Sequence, residues 1–322
     1  MSVFVAEELS EVLNTKVVIG RINMGLLNRI IIDDVLLDDQ SGQEMLKVTR
    51  LSAKFDIMPF FKGKISISSV QLFGFNINLR KETPDSPPNF KFVLDAFASK
   101  DTVKKENSLD LRINSILIRR GRMSYHVLSE EETPGKFNAK HIQLQNIIAN
   151  ISLKALSKDS LNLGIKRLSL DEKASGFSLK KMSLKLVANN KQTNIDNFTI
   201  ELPETSLKLD TIHLEYDSLK AFDRFTEQVH FSFRTLPSQV TLKDISPFVP
   251  ILSHFKEPVT LDMEVKGTVD QLTCSHLEIT ADDRQFRLRG DVSLQDLSRP
   301  QDAYVYGTCL LYTSPSPRDY AA

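Results

Sequence analysis

The sequence contains little that would support a disulfide framework or a polyanion-binding surface. Only two of its 322 residues are cysteine, Cys274 and Cys309, and neither lies in a C-x-x-C or Cys/His motif with metal-ligand spacing. Lys plus Arg and Asp plus Glu each number 41, so no net charge attracts nucleic acid. These shortages argue against a disulfide-stabilised domain and against a nucleic-acid partner, but two cysteines do not identify the cellular compartment.

Long apolar runs and catalytic motifs are missing as well. No segment approaches the roughly 20 apolar residues that cross a bilayer as a helix, and no charged stretch precedes a short apolar core with a small-residue cleavage site. The six histidines are scattered without an H-E-x-x-H pair, and no G-x-S-x-G motif is present. We therefore predict that the chain is not an enzyme and has no catalytic, cofactor-binding or metal-binding residues.

An acidic run near the N-terminus is the closest approach to a cation site. It contains Asp33, Asp34, Asp38 and Asp39. An EF-hand needs acidic or amide residues at alternate positions followed by a distal glutamate. The run differs from that spacing, so we do not predict a calcium site here.

What the sequence does contain is alternation of apolar and polar residues, most clearly in residues 64–80, KISISSVQLFGFNINLR. Its apolar residues fall at Ile65 and Ile67 and then at Val70 and Leu72, so a period-two strand pattern has one step inserted. A β-bulge makes that insertion while keeping the side chains on one face of the sheet. Two short strands that meet at a tight turn are the alternative.

The same spacing recurs along the chain, which favours many copies of one strand type. Each copy has the form apolar-x-apolar-x-x-apolar-x-apolar. Together the six copies contain the residues that we predict to share an apolar, lipid-contacting face. They are Ile30, Ile32, Val35, Leu37; Ile65, Ile67, Val70, Leu72; Leu111, Ile113, Ile116, Ile118; Leu163, Ile165, Leu168, Leu170; Phe177, Leu179, Met182, Leu184; and Leu207, Leu209, Ile212, Leu214.

Helical patterns are few and short. Residues 3–13 place Phe4, Leu9, Val12 and Leu13 on one side of an amphipathic helix, and PNFKFVLDAFAS predicts a second helix after the proline-rich segment KETPDSPPN. Residues 219–225 and 246–255 predict two more, the last with Ser246 as N-cap and an apolar side that we expect to be buried. The fold class is therefore mainly β.

The apolar face is larger than these helices can cover. Each buried side chain contributes roughly 1.5–3 kcal/mol, so leaving all six copies in water would forfeit some tens of kcal/mol. A sandwich or a closed barrel would cover the face. A long antiparallel sheet of about fifteen strands would extend roughly 70 Å, and sheets of that length normally curl. We predict that it curls lengthwise into a hydrophobic groove (a β-taco) that binds acyl chains.

Residues 19–79, followed by PNFKFVLDAFASKD, resemble the N-terminal region of TamB proteins in the AsmA-like superfamily of Gram-negative bacteria. The resemblance continues through INSILIRRGRMSY, GKFNAKHIQLQNIIANISLKAL, SGFSLKKMSLKL and DISPFVPILSHF, and it is carried by the order and spacing of these segments. It implies a periplasmic β-groove, tethered to the inner membrane, that moves phospholipid between the inner and outer membranes. The alternative that it implies is a chaperone or scaffold that assists outer-membrane protein insertion by β-strand pairing.

The resemblance also suggests how the chain is divided. Residues 1–15 are expected to form an amphipathic helix after an upstream membrane anchor, and residues 16–308 to form the β-groove. A C-terminal domain that engages an outer-membrane barrel partner is expected to lie beyond the chain. Residues 309–322, CLLYTSPSPRDYAA, resemble a translated sequencing adaptor, so we exclude them from the expected fold.

Overall fold

The computed structural model describes residues 2–26, 28–55, 67–98, 114–156, 160–281, 286–298 and 302–313. Its strands form one mixed sheet of 17 strands, which confirms the mainly β prediction. The strands are β1 (Val17–Gly25), β2 (Arg29–Asp38), β3 (Glu44–Phe55), β4 (Ile67–Lys81), β5 (Ser115–Val127), β6 (His141–Leu156), β7 (Ser160–Glu172), β8 (Ser178–Asn189), β9 (Gln192–Glu201), β10 (Ser206–Lys208), β11 (Ile212–Glu215), β12 (His230–Arg234), β13 (Ser238–Val240), β14 (Val259–Gly267), β15 (Gln271–Ala281), β16 (Phe286–Gln295) and β17 (Tyr304–Thr313).

The helices in the described residues are short, as predicted. They are α1 (Ser2–Leu13), α2 (Lys91–Ala98) and α3 (Phe225–Gln228), with 3₁₀ segments at Leu219–Arg224, Leu242–Ile245 and Pro250–His254. The predicted helix beginning at Ser246 is wrong, because Ser246 ends one 3₁₀ segment and the next begins at Pro250. Its expected buried side is also wrong, since Phe248 and Ile251 are exposed.

Helix α1 presents a different side to the protein than the sequence suggested. Phe4, Leu9 and Val12 are exposed, whereas Ala6 is buried and Leu13 packs beside it. The Ser10 hydroxyl donates to the Ala6 carbonyl at 2.7 Å and accepts the backbone N–H of Val17 at 3.0 Å. These bonds join the small-residue side of the helix to the start of β1, so the large apolar side chains point away.

The chain divides into two compact units, of which the first comprises Met1–Leu153 and Arg167–Ser178. Strands β1 to β4 follow one another as an antiparallel meander. Strands β4 and β5 are parallel, which corrects the expectation of a wholly antiparallel sheet. A parallel pair requires a long crossover. The proline-rich segment after β4 and helix α2 form part of that connection.

The inserted step predicted in residues 64–80 is a β-bulge. In the pairing of β3 with β4, Ser69 lies opposite Lys54 and Ile67 opposite Phe55, so Ser68 is an extra residue. This register shift confirms the bulge reading for this copy. The bulge places the side chains of Ile67, before it, and Val70, after it, on the same face of the sheet.

A second backbone irregularity lies at matching positions of neighbouring strands in the first unit. Asp34 (φ 58°), Gly74 (φ 64°) and Arg120 (φ 55°) all have left-handed backbones. The registers place Gly20, Asp34, Thr49, Gly74 and Arg120 side by side across β1 to β5. We call this row the kink line. Because the strands are irregular at the same level, the β1–β4 registers continue unchanged across it.

The second unit comprises Lys154–Lys166 and Leu179–Ala322. Strand β9 pairs antiparallel with β8, β10 and β11, and β14 to β17 follow as an antiparallel meander. Left-handed residues interrupt strands here too, at Asn197 in β9 and His276 in β15, each beside a register shift. Left-handed backbones within strands therefore occur in both units.

Two sequence expectations have a different outcome in the second unit. The copy at Leu207 to Leu214 is divided between β10 and β11, so the alternative of two short strands holds there. Strand β17 continues through Cys309 to Thr313 in antiparallel pairing with β16, whereas the sequence predicted a fold ending at residue 308. The adaptor origin of residues 309–322 stays a prediction.

Candidate functional site

Most of the predicted lipid-contacting residues that the structure describes are half-buried. Ile65, Leu111 and Ile113 lie outside the described residues. Leu37, Leu179 and Leu209 are buried, with exposed fractions of 8%, 9% and 7%. The other predicted residues are half-buried. They are Ile30, Ile32, Val35, Ile67, Val70, Leu72, Ile116, Ile118, Leu163, Ile165, Leu168, Leu170, Phe177, Met182, Leu184, Leu207, Ile212 and Leu214.

In the first unit, several of these side chains meet in one cluster, which we call the apolar face. Its centre is Val48, Phe75 and Ile147, which are buried. Half-buried side chains from β2 to β7 surround this centre, and they include residues from both sides of the kink line. The surrounding residues are Val35, Leu46, Leu51, Leu72, Ile77, Ile118, Met123, Leu144 and Leu170.

Sequence analysis found the flanks of the apolar face and missed its centre. A detectable signal was present, because Leu46, Val48, Leu51 and Ala53 of β3 have the same spacing as the six copies. Residues 17–24 of β1 and 142–149 of β6 also repeat it. Each strand from β1 to β4 changes its alternation at the kink line, which keeps one face apolar.

A glycine makes the centre of the apolar face possible. A Cβ added at Gly121 would lie 2.4 Å from Cζ of Phe75 and 3.0 Å from Cβ of Ile147. The Phe75 ring therefore fills the space that a side chain at this position of β5 would occupy. This arrangement is fixed by packing between strands that are far apart in sequence, and no local pattern reveals it.

One end of the apolar face is covered by the two N-terminal helices. Leu37 and Met45 are buried there with Ala6, Val17 and Ile19, and Ile32 packs against them. The other half-buried members are Val5, Leu13, Ile22, Leu46, Phe90, Phe92 and Val93. We therefore assign Leu37 and Ile32 to the core under the helices, whereas Leu51, Leu72 and Ile118 belong to the cluster beyond it.

The acidic run is used within the protein. Asp39 is buried, and its Oδ1 accepts the N–H groups of Ser41 (3.0 Å) and Gln43 (3.1 Å), while Oδ2 accepts from Arg80 (2.7 Å) and Asn89 (3.2 Å). Burial alone would raise its pKa, but the Ser41 hydroxyl, which donates to Oδ1 at 2.6 Å, and the other donors hold the pKa of Asp39 below its usual value. The carboxylate thus anchors the β2–β3 turn.

Asp33 and Arg120 are charged strand residues that also make contacts within the protein. Nε of Arg50 donates to Asp33 at 2.6 Å, and this bond lowers the pKa of the Asp33 carboxyl. The Arg120 guanidinium lies 5.2 Å from the ring centroid of Phe73, a cation–π distance. The arginines at 119, 120 and 122 are exposed on β5.

The second unit has apolar side chains of both kinds, half-buried and exposed. Met182 pairs laterally with Ile200, which pairs with Leu207, so three half-buried residues form a row across β8 to β10. Leu214 packs against a small core of Tyr216, Ala221 and Val229. Several large side chains on or close to the 3₁₀ segments stay exposed. They are Leu219, Phe222, Phe248, Val249, Ile251 and Phe255.

Comparison of the chain with protein-family models and with curated proteins yields no match. Of the helices in the described ranges, none has both the length and the apolar content needed to cross a bilayer. A functional assignment for the chain therefore depends on the chemistry and placement of its own side chains.

Proposed function

We propose that this chain shields the acyl chains of phospholipids on the half-buried apolar side chains of its sheet. The observation that supports the proposal is the intermediate burial of nearly all the described residues in the six copies. Large aliphatic side chains in an ordinary core are mostly fully buried. Here Leu72, Ile118 and Leu170 pack in one cluster and still retain contact with solvent, as a surface that takes an apolar ligand would.

The energetics favour such a ligand. Removing apolar surface from water contributes about 25 cal/mol per Å². Acyl chains laid along Leu51, Leu72 and Ile118 would remove the exposed remainder of these side chains from water without requiring a polar partner. The helices α1 and α2 already do this for Leu37 at one end of the face.

The wider setting in this proposal follows the resemblance to TamB proteins. It makes the chain the membrane-proximal segment of an envelope-spanning protein in the periplasm, with an inner-membrane tether upstream and an outer-membrane barrel partner engaged by a C-terminal domain. The sheet would curl lengthwise into a β-taco groove for phospholipid transport. Exposed Phe4, Leu9 and Val12 on α1 would suit a location beside a membrane.

A second candidate function is a scaffold that pairs strands with outer-membrane proteins. Strand β17 supports it, because β17 pairs with β16 and exposes Tyr304, Val305 and Tyr306. Exposed strands of this kind can add a further strand from a peptide. This candidate requires no lipid on the apolar face.

Photo-crosslinking from neighbouring positions of β4 tests the lipid proposal. A benzoylphenylalanine residue at Leu72, on the apolar face, should crosslink phospholipid in the bacterial envelope, whereas one at Gln71 should not, because adjacent strand residues face opposite sides. Both positions are half-buried, so they are matched in accessibility. Two results would refute the proposal. One is equal crosslinking of phospholipid from both positions, and the other is crosslinking of outer-membrane protein strands and not of lipid, which would favour the scaffold.

A further inference from the structure

Two histidines meet at the loop end of the β5–β6 hairpin in the first unit. His126 near the end of β5 and His141 at the start of β6 are direct antiparallel partners. Their Nδ1 atoms lie 3.0 Å apart, and their ring planes are inclined by 50°. Side chains 15 positions apart in the sequence are thus brought together by strand pairing.

The tautomer of His141 follows from its second contact. Nε2 of His141 lies 2.9 Å from the carbonyl oxygen of Glu130, which can only accept a hydrogen bond, so Nε2 carries the proton. The lone pair is then on Nδ1, directed at His126. His141 is only 6% exposed, so this orientation is held by packing. An N–H···O=C bond on the far ring nitrogen is the arrangement that orients metal-bound histidines.

A carboxylate completes a third ligand position. Oε1 of Glu132, in the loop between β5 and β6, lies 4.0 Å from Nδ1 of His126. The three ligand atoms are all within 4.8 Å of one another. In a tetrahedral zinc site with bonds of about 2.0–2.1 Å, ligand atoms are about 3.3 Å apart. The histidine pair is already close to that spacing, and Glu132, whose side chain is exposed, is the ligand that has to move closer.

We propose that His126, His141 and Glu132 bind a zinc ion, with water as the fourth ligand. Two imidazoles and one carboxylate are a three-residue set that zinc accepts. The site goes beyond the proposed lipid function and needs no lipid. Its structural effect is to attach the loop of residues 128–140 to the ends of β5 and β6. The sequence predicted no metal ligands because the two histidines form no short-range motif.

Zinc titration of the whole chain, prepared without a polyhistidine tag, tests the site. Calorimetry should show one zinc ion per chain, and cobalt substitution should give the visible absorption of a tetrahedral site. His126→Gln and Glu132→Gln should each weaken zinc binding at least about tenfold. His230→Gln and Glu131→Gln change exposed residues outside the cluster, so they should leave binding unchanged.

Two results would overturn the zinc site. One is the absence of binding at millimolar zinc, and the other is an affinity that neither His126→Gln nor Glu132→Gln changes. Glu132 is in an exposed loop, so its variant tests the site even where His126→Gln disturbs folding, as circular dichroism would reveal. Phospholipid crosslinking from position 72 should be the same with and without zinc, which separates this test from that of the proposed function.

Discussion

At the scale of single residues, buried carboxylates stabilise the turns of the first unit. Glu172 is 2% exposed at the end of β7, and its oxygens accept the N–H groups of Gln143 (2.9 Å), Ala174 (3.3 Å) and Ser175 (2.7 Å). Burial by itself would raise its pKa, but the bonds from Ser175, Gln143 and Ala174 lower the pKa below the ordinary 4.5. The charged form is therefore part of the folded structure.

This depressed pKa predicts how stability changes with pH. Because the folded pKa of Glu172 is below its unfolded value, its contribution should be complete above about pH 4.5 and be lost as pH falls further. Glu172→Gln should lower the free energy of unfolding by about 2 kcal/mol at pH 7, since a charged acceptor is replaced by an amide. Urea denaturation at several pH values measures both effects.

The control for that experiment is Glu82→Gln, which changes an exposed glutamate in the same unit. Its stability should match that of the unmodified chain at neutral pH. The difference between Glu172→Gln and the unmodified chain should shrink below pH 4.5. A difference that stays constant down to pH 3 would contradict the assigned role of the charge.

At the scale of elements, the kink line determines which side chains share a face. A left-handed backbone at Asp34 interrupts the alternation in β2, and Gly20 and Thr49 lie opposite it in β1 and β3. A Cβ added at Gly20 would lie 3.0 Å from the Asp34 Cβ, so the strands approach closely there. The inserted step is thus a property of several neighbouring strands together.

Substitutions at Asp34 test the kink line. Left-handed backbones cost roughly 1–2 kcal/mol for residues with a Cβ, and least for Gly and Asp or Asn. Asp34→Val should therefore destabilise the first unit by about 1–2 kcal/mol, whereas Asp34→Gly should be neutral or stabilising. Chemical denaturation followed by circular dichroism measures the difference.

Lys47→Val is the matched control, because Lys47 is exposed at a regular position of β3. Valine suits a strand, so this change should not destabilise. If Asp34→Val and Asp34→Gly proved equally stable, the left-handed conformation would not be required in β2.

At the scale of the whole molecule, the proposed ligand should stabilise the folded chain. A ligand that binds only the native state stabilises it by RT ln(1 + [L]/Kd), about 2.7 kcal/mol at a hundredfold excess over Kd. A short-chain phosphatidylcholine below its micelle concentration should therefore raise the unfolding temperature in proportion to the logarithm of its concentration. Scanning fluorimetry measures the shift.

Glycerophosphocholine, which has the same headgroup without acyl chains, is the control ligand. It should leave the unfolding temperature unchanged, because the proposed contacts are made by apolar side chains. An equal shift with both compounds would place recognition in the headgroup, and no shift with either would argue against the apolar face as a lipid site.

The local pattern was sufficient to predict a mainly β chain, but the six copies omit Val48, Phe75 and Ile147 at the centre of the apolar face. Alternation depends on residues two apart, so the bulge at Ser68 was within reach of the sequence. The half-buried state of Leu72 and Ile118 was not, because it depends on what covers the face. Helix α1 was predicted in place, but three of the four side chains on its predicted apolar side are exposed and only Leu13 packs against the core. Hydrophobicity alone could not show that Ala6 and Ser10 fit against the start of β1.

The sequence by itself determined that the chain is mainly β and that its strands carry one repeated apolar pattern, because strand alternation is encoded by near neighbours. Tertiary structure decided the parallel pairing of β4 with β5, the cover over Leu37, the fit of Phe75 over Gly121 and the meeting of His126 with His141. Each depends on segments that are distant in the chain. Their contacts follow from register and packing, which a single stretch of sequence does not specify.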